Sequence, residues 1–146
     1  AEEFLAALKE RFQVDVLEGT PGPSQEIQFD FYLKGHWYRA SNPIEAVSSD
    51  PVASLDVALL QDRVLAPWLG IEDPRRDTRI SFIGGIRGTA ELERLVDSGD
   101  YAVAMALFAT PAAALVNVAD SGNVMPPKST WFEPKLRSGL FVHLLD

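Results

Sequence analysis

Residues 27–40 have the sequence IQFDFYLKGHWYRA, and this stretch decides the fold. Apolar side chains occupy every second position from Ile27 to Leu33, which is the period of a β-strand with one face on a core. Lys34-Gly35 then separates this run from a second strand pattern at residues 36–40. Two such runs joined by two turn-forming residues predict an antiparallel hairpin.

The segments on the N-terminal side of the hairpin have three different patterns. Residues 2–12 carry apolar side chains at helical spacing and predict a short amphipathic helix, and residues 13–18 alternate as a strand. Residues 19–24 are rich in glycine and proline and predict a loop. Residues 41–53 form a polar connection with two prolines, which makes them the candidate joint between subdomains.

The segments on the C-terminal side predict helices and strands in alternation. Ser54 is the expected N-cap of a helix that ends at Pro67 and Gly70. Further elements are expected in this order: a strand at 79–83, a loop at 84–88, a helix at 90–98 and a strand at 101–108. Because residues 101–108 are almost uninterruptedly apolar, we expect that strand to be buried on both faces, in a strand–helix–strand unit typical of a parallel crossover.

The last elements are a helix and a strand. Thr110-Pro111 predicts a cap followed by proline at the first helical position, Gly122 closes that helix, and residues 139–145 form a plausible last strand. We therefore predict one α/β domain over residues 1–146, close to the α+β class. Its sheet should be mixed, with an antiparallel hairpin and strand–helix–strand crossovers.

Composition narrows the classes of function. The chain has 146 residues, no cysteine and a net charge of −8. Disulfides, thiolate chemistry and cysteine-bound zinc are excluded, and a cytoplasmic location without a membrane partner is expected. The negative charge repels phosphate backbones and makes a nucleic-acid partner unlikely, whereas a homo-oligomer stays open. Because Ala1 opens directly into a helical pattern, we expect the chain to be the C-terminal part of a longer protein.

The first candidate site is the glycine-rich loop between the strand at 79–83 and the helix at 90–98. Its amide groups and the Arg87 side chain are suited to an anion at a helix N-terminus. The candidate anion-binding residues here are Gly84, Gly85, Arg87, Gly88 and Thr89. The alternative is a tight turn with Thr89 as the helix cap.

The second candidate site follows two prolines at positions 126 and 127. Lys128, Ser129 and Thr130 are suited to a phosphate or a carboxylate, and Trp131 and Phe132 are candidates for stacking on a ring. The alternative is a segment that crosses the edge of the sheet, with its aromatic side chains in the core and its prolines discouraging edge pairing.

The sequence evidence for other functional sites is weaker. The mixed charges of residues 73–79 are typical of a solvated turn. His36 and His143 are the only histidines and lie far apart, so no metal site is predicted. No catalytic residue and no cofactor is evident from the sequence.

Several phrases of the sequence resemble the C-terminal part of the prokaryotic family known as domain of unknown function 1015. They are Val52–Val57, Leu65–Pro67, Ile80–Gly85 and, above all, the run from Met125 to Phe132 followed by Pro134-Lys135. The resemblance implies a longer protein whose preceding region carries an Asp-Gly-His-His-Arg motif. That motif is similar to motifs of the fold shared by ParB proteins and some nucleotide-dependent serine kinases, and it does not occur in this chain.

Two functions follow as hypotheses. In the first, the two loops form an anion-binding or nucleotide-binding half-site, which the N-terminal region of the same longer chain completes in a nucleotide-dependent transferase or hydrolase. In the second, the chain is a non-catalytic interaction or assembly module. It would then dock through the Trp37/Tyr38 hairpin or through the helix from Leu55 to Leu65. Whether the chain takes part in an enzyme is left open.

Overall fold

The computed structural model describes residues 2–130. Three predictions lie outside the described residues: the strand at 139–145 and the two stacking candidates, Trp131 and Phe132.

Five helices and four strands are present in the described residues. The helices are α1 (Glu2–Lys9), α2 (Asp56–Leu60), α3 (Ala66–Leu69), α4 (Gly88–Asp97) and α5 (Ala112–Asp120). A π-helical turn (Gln61–Leu65) joins α2 to α3, and a 3₁₀ turn (Gly85–Arg87) precedes α4. The strands are β1 (Phe12–Val16), β2 (Phe29–Leu33), β3 (His36–Pro43) and β4 (Ala104–Leu107). The predicted mixed α/β single domain is confirmed.

The predicted hairpin forms the centre of the sheet. The strand order is β1-β3-β2-β4, and β2 and β3 pair antiparallel with Leu33 opposite His36. Lys34 and Gly35 both have positive φ, at 49° and 80°. These angles belong to the type I′ turn, whose twist matches the right-handed twist of the flanking strands.

The geometry of this turn leads to a prediction about stability. Gly35→Ala should lower the free energy of unfolding by about 1 to 2 kcal/mol, because a Cβ disfavours the left-handed conformation. Gly85→Ala is the matched control, since Gly85 has no positive φ and its Cβ would meet nothing within 4 Å. Denaturant unfolding of both variants checks this. Equal losses in the two variants would contradict the turn assignment.

One face of the sheet packs against the helices α1 to α3 through aromatic side chains. Phe29 and Phe31 are fully buried and belong to one cluster with Leu60 and Val64. The Phe31 ring meets Phe4 edge to face, with centroids 6.0 Å apart. This face therefore carries the main hydrophobic core.

The opposite face of the hairpin is also covered, although its sequence is polar. Trp37 Nε1 donates to Glu93 at 2.7 Å, and the Tyr32 hydroxyl donates to Asp97 at 3.0 Å, so α4 lies over this face. Burial, and then the hydrogen bond to Asp97, raises the pKa of Tyr32. All five residues of β2 are buried as a result.

The predictions for the C-terminal strands need correction. We predicted a mixed sheet with a parallel crossover, but every strand pair within residues 2–130 is antiparallel. Among residues 2–130, β4 pairs with β2 alone and is only half-buried, whereas we predicted a strand buried on both faces. Residues 79–83 form no strand, because a strand needs a hydrogen-bonding partner and the described residues offer none there.

The helix around Pro67 also differs from its prediction. Pro67 does not end it, because the π-helical turn comes before it and the helix continues to Gly70, whose φ is +64°. Widening the turn moves the Arg63 carbonyl away from the proline ring, with which it would clash in a regular helix. Ser54 is not the N-cap: the cap is Leu55, and the Ser54 hydroxyl instead donates to the Pro51 carbonyl at 3.4 Å.

The helix α5 begins one residue later than predicted, because we expected Thr110 to be its cap. Its N-cap is Pro111, and the Thr110 hydroxyl donates to the Ser129 carbonyl at 2.8 Å. Thr110 therefore ties the segment after α5 to the end of β4. No helix in residues 2–130 combines the length and the apolar character that a membrane span requires.

Candidate functional site

A groove of about 1400 Å³ runs along the side of β4 that has no partner strand among residues 2–130. Its walls are residues 101–110, residues 79–86, one side of α2 and α3 with the intervening turn, and residues 126–130. Both sequence-predicted loops lie in it. Of the eight candidate anion-binding residues, all but Arg87 line this groove: Gly84, Gly85, Gly88, Thr89, Lys128, Ser129 and Thr130.

The glycine loop presents the N-terminus of α4 to the groove. The Arg87 amide donates to the Gly84 carbonyl at 3.0 Å, which closes a turn, and Gly88 has a φ of +68°. The N-cap of α4 is Arg87, and no side chain caps the helix, so Thr89 does not act as the cap. The first amides of a helix lack partners within the helix and lie at the positive end of its dipole.

The Arg87 side chain takes part in a different interaction. Its guanidinium lies 3.9 Å from Glu91, whose carboxylate also receives two hydrogen bonds from Arg94 at 2.9 Å each. The hydrogen bonds from Arg94 are the main reason that the pKa of Glu91 is lowered. Arg87 thus stands at the loop but does not line the groove with its neighbours.

The Lys128 loop is a tight turn that also lines the groove. Lys128 has a φ of +62°, and the Ser129 hydroxyl donates to the Pro126 carbonyl at 2.6 Å. Ser129 therefore has its hydroxyl proton engaged in the turn, and its carbonyl accepts from Thr110. The Lys128 side chain is exposed.

Two arginines near the groove are paired with aspartates. Arg75 contacts Asp73 at 2.9 Å, and its hydrogen bonds lower the pKa of Asp73 to about 2. Arg79 contacts Asp77 at 2.6 Å and also donates to the carbonyls of Leu69 and Gly70 at the end of α3. The predicted solvated turn at 73–79 therefore also caps a helix.

Lys128 is the cation at the groove that has no carboxylate partner within residues 2–130. The other two cationic residues of the lining, Arg75 and Arg79, form the pairs just described. An unpaired ammonium on an open surface keeps its donors available for an anion.

A buried ion pair, which no sequence motif indicates, holds the 19–24 loop beside the groove. Asp30 is fully buried and accepts two hydrogen bonds from Arg39 at 2.8 Å and one from the Gly22 amide at 2.8 Å. Arg39 also donates to the Gly22 carbonyl at 3.1 Å. Gly22 and Pro23 line the groove, so this clamp fixes part of its rim.

The groove contains one further polar feature, on the helical wall. Gln61 donates from Nε2 to the Ile71 carbonyl at 2.7 Å, whereas its Oε1 is buried without a hydrogen-bond partner in the described part of the chain. Within residues 2–130, no three histidine or acidic side chains gather as metal ligands would. His36 is exposed on β3, and His143 lies outside the described residues.

Comparison with known proteins found no match for this chain. No protein-family model, no curated protein and no solved structure matches the chain.

Proposed function

We propose that this chain supplies one wall of a binding site for a small anionic ligand, held between the glycine loop at 84–89 and Lys128. The observation that carries the proposal is that both loops line one groove, although about forty residues separate them in sequence. Either loop alone would be an ordinary turn. Their convergence favours a shared ligand.

The chemistry of the two walls is complementary to an anion. The uncapped N-terminus of α4 offers amide donors and the positive end of the helix dipole. Lys128 offers an ammonium that bears no ion pair within the described residues. A phosphate between them would receive hydrogen bonds from both walls, and these are stronger than neutral ones because the acceptor is charged.

The rest of the groove favours a ligand with an apolar body. Side chains such as Leu92, Leu95 and Val103 also line the groove. A nucleotide, with phosphates at one end and a base at the other, matches this distribution.

The proposal extends to a longer protein. Its N-terminal region would complete the site, and a nucleotide-dependent transferase or hydrolase is the expected class. The resemblance to domain of unknown function 1015 stays a prediction, as do the cytoplasmic location and a homo-oligomer.

The second candidate function, an assembly module, has less support in the surfaces first named for it. Trp37 is only 8% exposed because α4 covers it. The apolar side chains Leu59, Leu60 and Val64 lie in the core. An assembly role would need another surface.

Titration of inorganic phosphate and of a nucleoside triphosphate tests the proposal. Lys128→Gln should weaken binding about tenfold or more, because a hydrogen bond to a charged group contributes about 1.5 to 3 kcal/mol. Calorimetry of the full chain measures the affinity.

Lys34→Gln is the matched control. Lys34 is also an exposed lysine with a positive φ, but it lies at the hairpin turn and does not line the groove. Equal affinities in the wild type and in both variants would refute the proposed site.

A further inference from the structure

We propose that Thr110 is a positioning residue of the anion site. Its hydroxyl holds the Lys128 loop, residues 126–129, in a strained turn, and this turn keeps the backbone of Lys128 in place beside the groove. The inference rests on the proposed function and adds to it the residue that fixes the cation relative to the glycine loop.

The Lys128 loop is a type II β-turn. The Ser129 amide donates to the Pro126 carbonyl at 3.3 Å, which closes the four-residue turn. The ring of Pro127 confines its own φ to about −65°, and Lys128 follows with a φ of +62°. A negative φ followed by a positive φ at the two central positions defines the type II turn, whose third position normally holds glycine or asparagine.

A lysine at this third position is unfavourable for the fold. Because a Cβ disfavours the left-handed region, glycine would form the same turn with less strain. The Lys128 side chain is exposed, so it adds no core packing that would offset the strain. Strained backbone persists where the surrounding structure holds it, and it concentrates at binding sites. The strain therefore indicates that Lys128 serves binding and not folding.

Three hydrogen bonds hold the turn in this conformation. Besides the amide bond just described, the Ser129 hydroxyl donates to the Pro126 carbonyl at 2.6 Å. Thr110 Oγ1 donates to the Ser129 carbonyl at 2.8 Å. The first two bonds lie within the turn and fix its shape, whereas the third joins it to the rest of the domain. Thr110 therefore fixes where the turn lies.

Thr110 joins the Lys128 loop to the strand that also supports the glycine loop. It follows Leu107, the last residue of β4, by three positions, and Pro111 after it is the N-cap of α5. The helix α4, which begins at Gly88 in the glycine loop, contacts β4. Thr110 itself lines the groove with both loops. The hydrogen bond from Thr110 thus sets the position of Lys128 relative to Gly88.

Calorimetric titration of the full chain with inorganic phosphate tests the role of Thr110. Thr110→Val keeps the shape of the side chain but removes the hydroxyl. It should weaken phosphate binding about threefold to tenfold, because the loss of one neutral hydrogen bond changes an equilibrium by about this factor. Thr110→Ser retains the hydroxyl and should restore the wild-type affinity. In the Lys128→Gln background, Thr110→Val should have no further effect, since Thr110 acts through the lysine.

A second variant, Lys128→Gly, separates binding from folding. It should weaken phosphate binding about tenfold or more, yet raise the midpoint of thermal unfolding by about 2 to 4 °C, because glycine relieves the strain. Lys34→Gly is the matched control, since Lys34 is an exposed lysine with a φ of +49° in the hairpin turn. It should also raise the midpoint, but leave phosphate binding unchanged.

The results that contradict this inference differ from those that contradict the anion site. The role of Thr110 is overturned by wild-type affinity in Thr110→Val, by failure of Thr110→Ser to restore binding, or by an equal loss from Thr110→Val in the wild type and in Lys128→Gln. A midpoint that does not rise in Lys128→Gly overturns the strained turn. In each case the site stands if Lys128→Gln weakens binding. If Lys128→Gln binds phosphate like the wild type, the proposed function fails and this inference fails with it.

Discussion

Replacing Phe31 with alanine should lower the free energy of unfolding by about 3 to 5 kcal/mol. Phe31 has no exposed surface and lies on the central strand β2. Its ring packs edge to face against Phe4 at 6.0 Å and belongs to the core cluster with Leu60. The substitution removes this contact and leaves a cavity that the surrounding side chains fill only in part.

Variants that leave a smaller cavity or none show whether the loss comes from the cavity or from a general sensitivity of the hairpin to substitution. Phe31→Leu keeps most of the volume and should cost only about 1 to 1.5 kcal/mol. Val16→Ala, at a side chain that is 62% exposed on β1, should change stability by less than about 0.5 kcal/mol. Urea unfolding of the three variants gives the comparison. A loss below about 1 kcal/mol for Phe31→Ala would contradict the core described here.

Replacing Asp30 with alanine should cost about 3 kcal/mol. The carboxylate is fully buried and accepts hydrogen bonds from Arg39 and from the Gly22 amide. Its removal leaves the Arg39 guanidinium without its carboxylate partner, and breaking a buried pair in this way costs about 3 to 5 kcal/mol. The Arg39 side chain is 24% exposed and partly hydrated, so we expect the lower end of that range.

A double-mutant cycle identifies the origin of this loss. Asp30→Ala combined with Arg39→Met removes both charges and should recover part of the stability. Asp15→Ala, at an exposed carboxylate on β1, should change stability by less than about 0.5 kcal/mol. If Arg39→Met lowered the stability of the Asp30→Ala variant by as much as it lowers that of the wild type, the two groups would not act as a pair. Hydrogen exchange of residues 19–24 should rise in Asp30→Ala, because Gly22 loses its anchor.

The hairpin was predictable because its signals are local. Alternating apolar residues and a Lys-Gly turn define both the strands and their register. The same register places Asp30 directly opposite Arg39. The buried ion pair was therefore accessible from the sequence once the turn had been assigned, although a search for motifs does not find it.

The second face of the hairpin was not predictable in this way. Tyr32 and Trp37 have polar atoms and fit an exposed face by alternation alone. They are buried because α4, more than fifty residues later in the chain, supplies the acceptors Asp97 and Glu93. Local patterns contain no information on such distant partners.

The candidate site was predictable as two loops but not as one groove. Glycines before a helix and a lysine after two prolines are visible in the sequence. Their meeting depends on β4 pairing with β2 in the antiparallel sheet of residues 2–130, whereas we had predicted a mixed sheet. Arg87 was placed in the site by its position in the loop, but its side chain lies beside Glu91.

The central claim is that the two loops bind one anion together. The most direct measurement is the chemical shift of each backbone amide during a phosphate titration of the full chain. We predict that amides of residues 88–90 and of residues 128–130 shift together, with one common dissociation constant. Shifts in only one of the two loops, or different dissociation constants for the two, would contradict the claim.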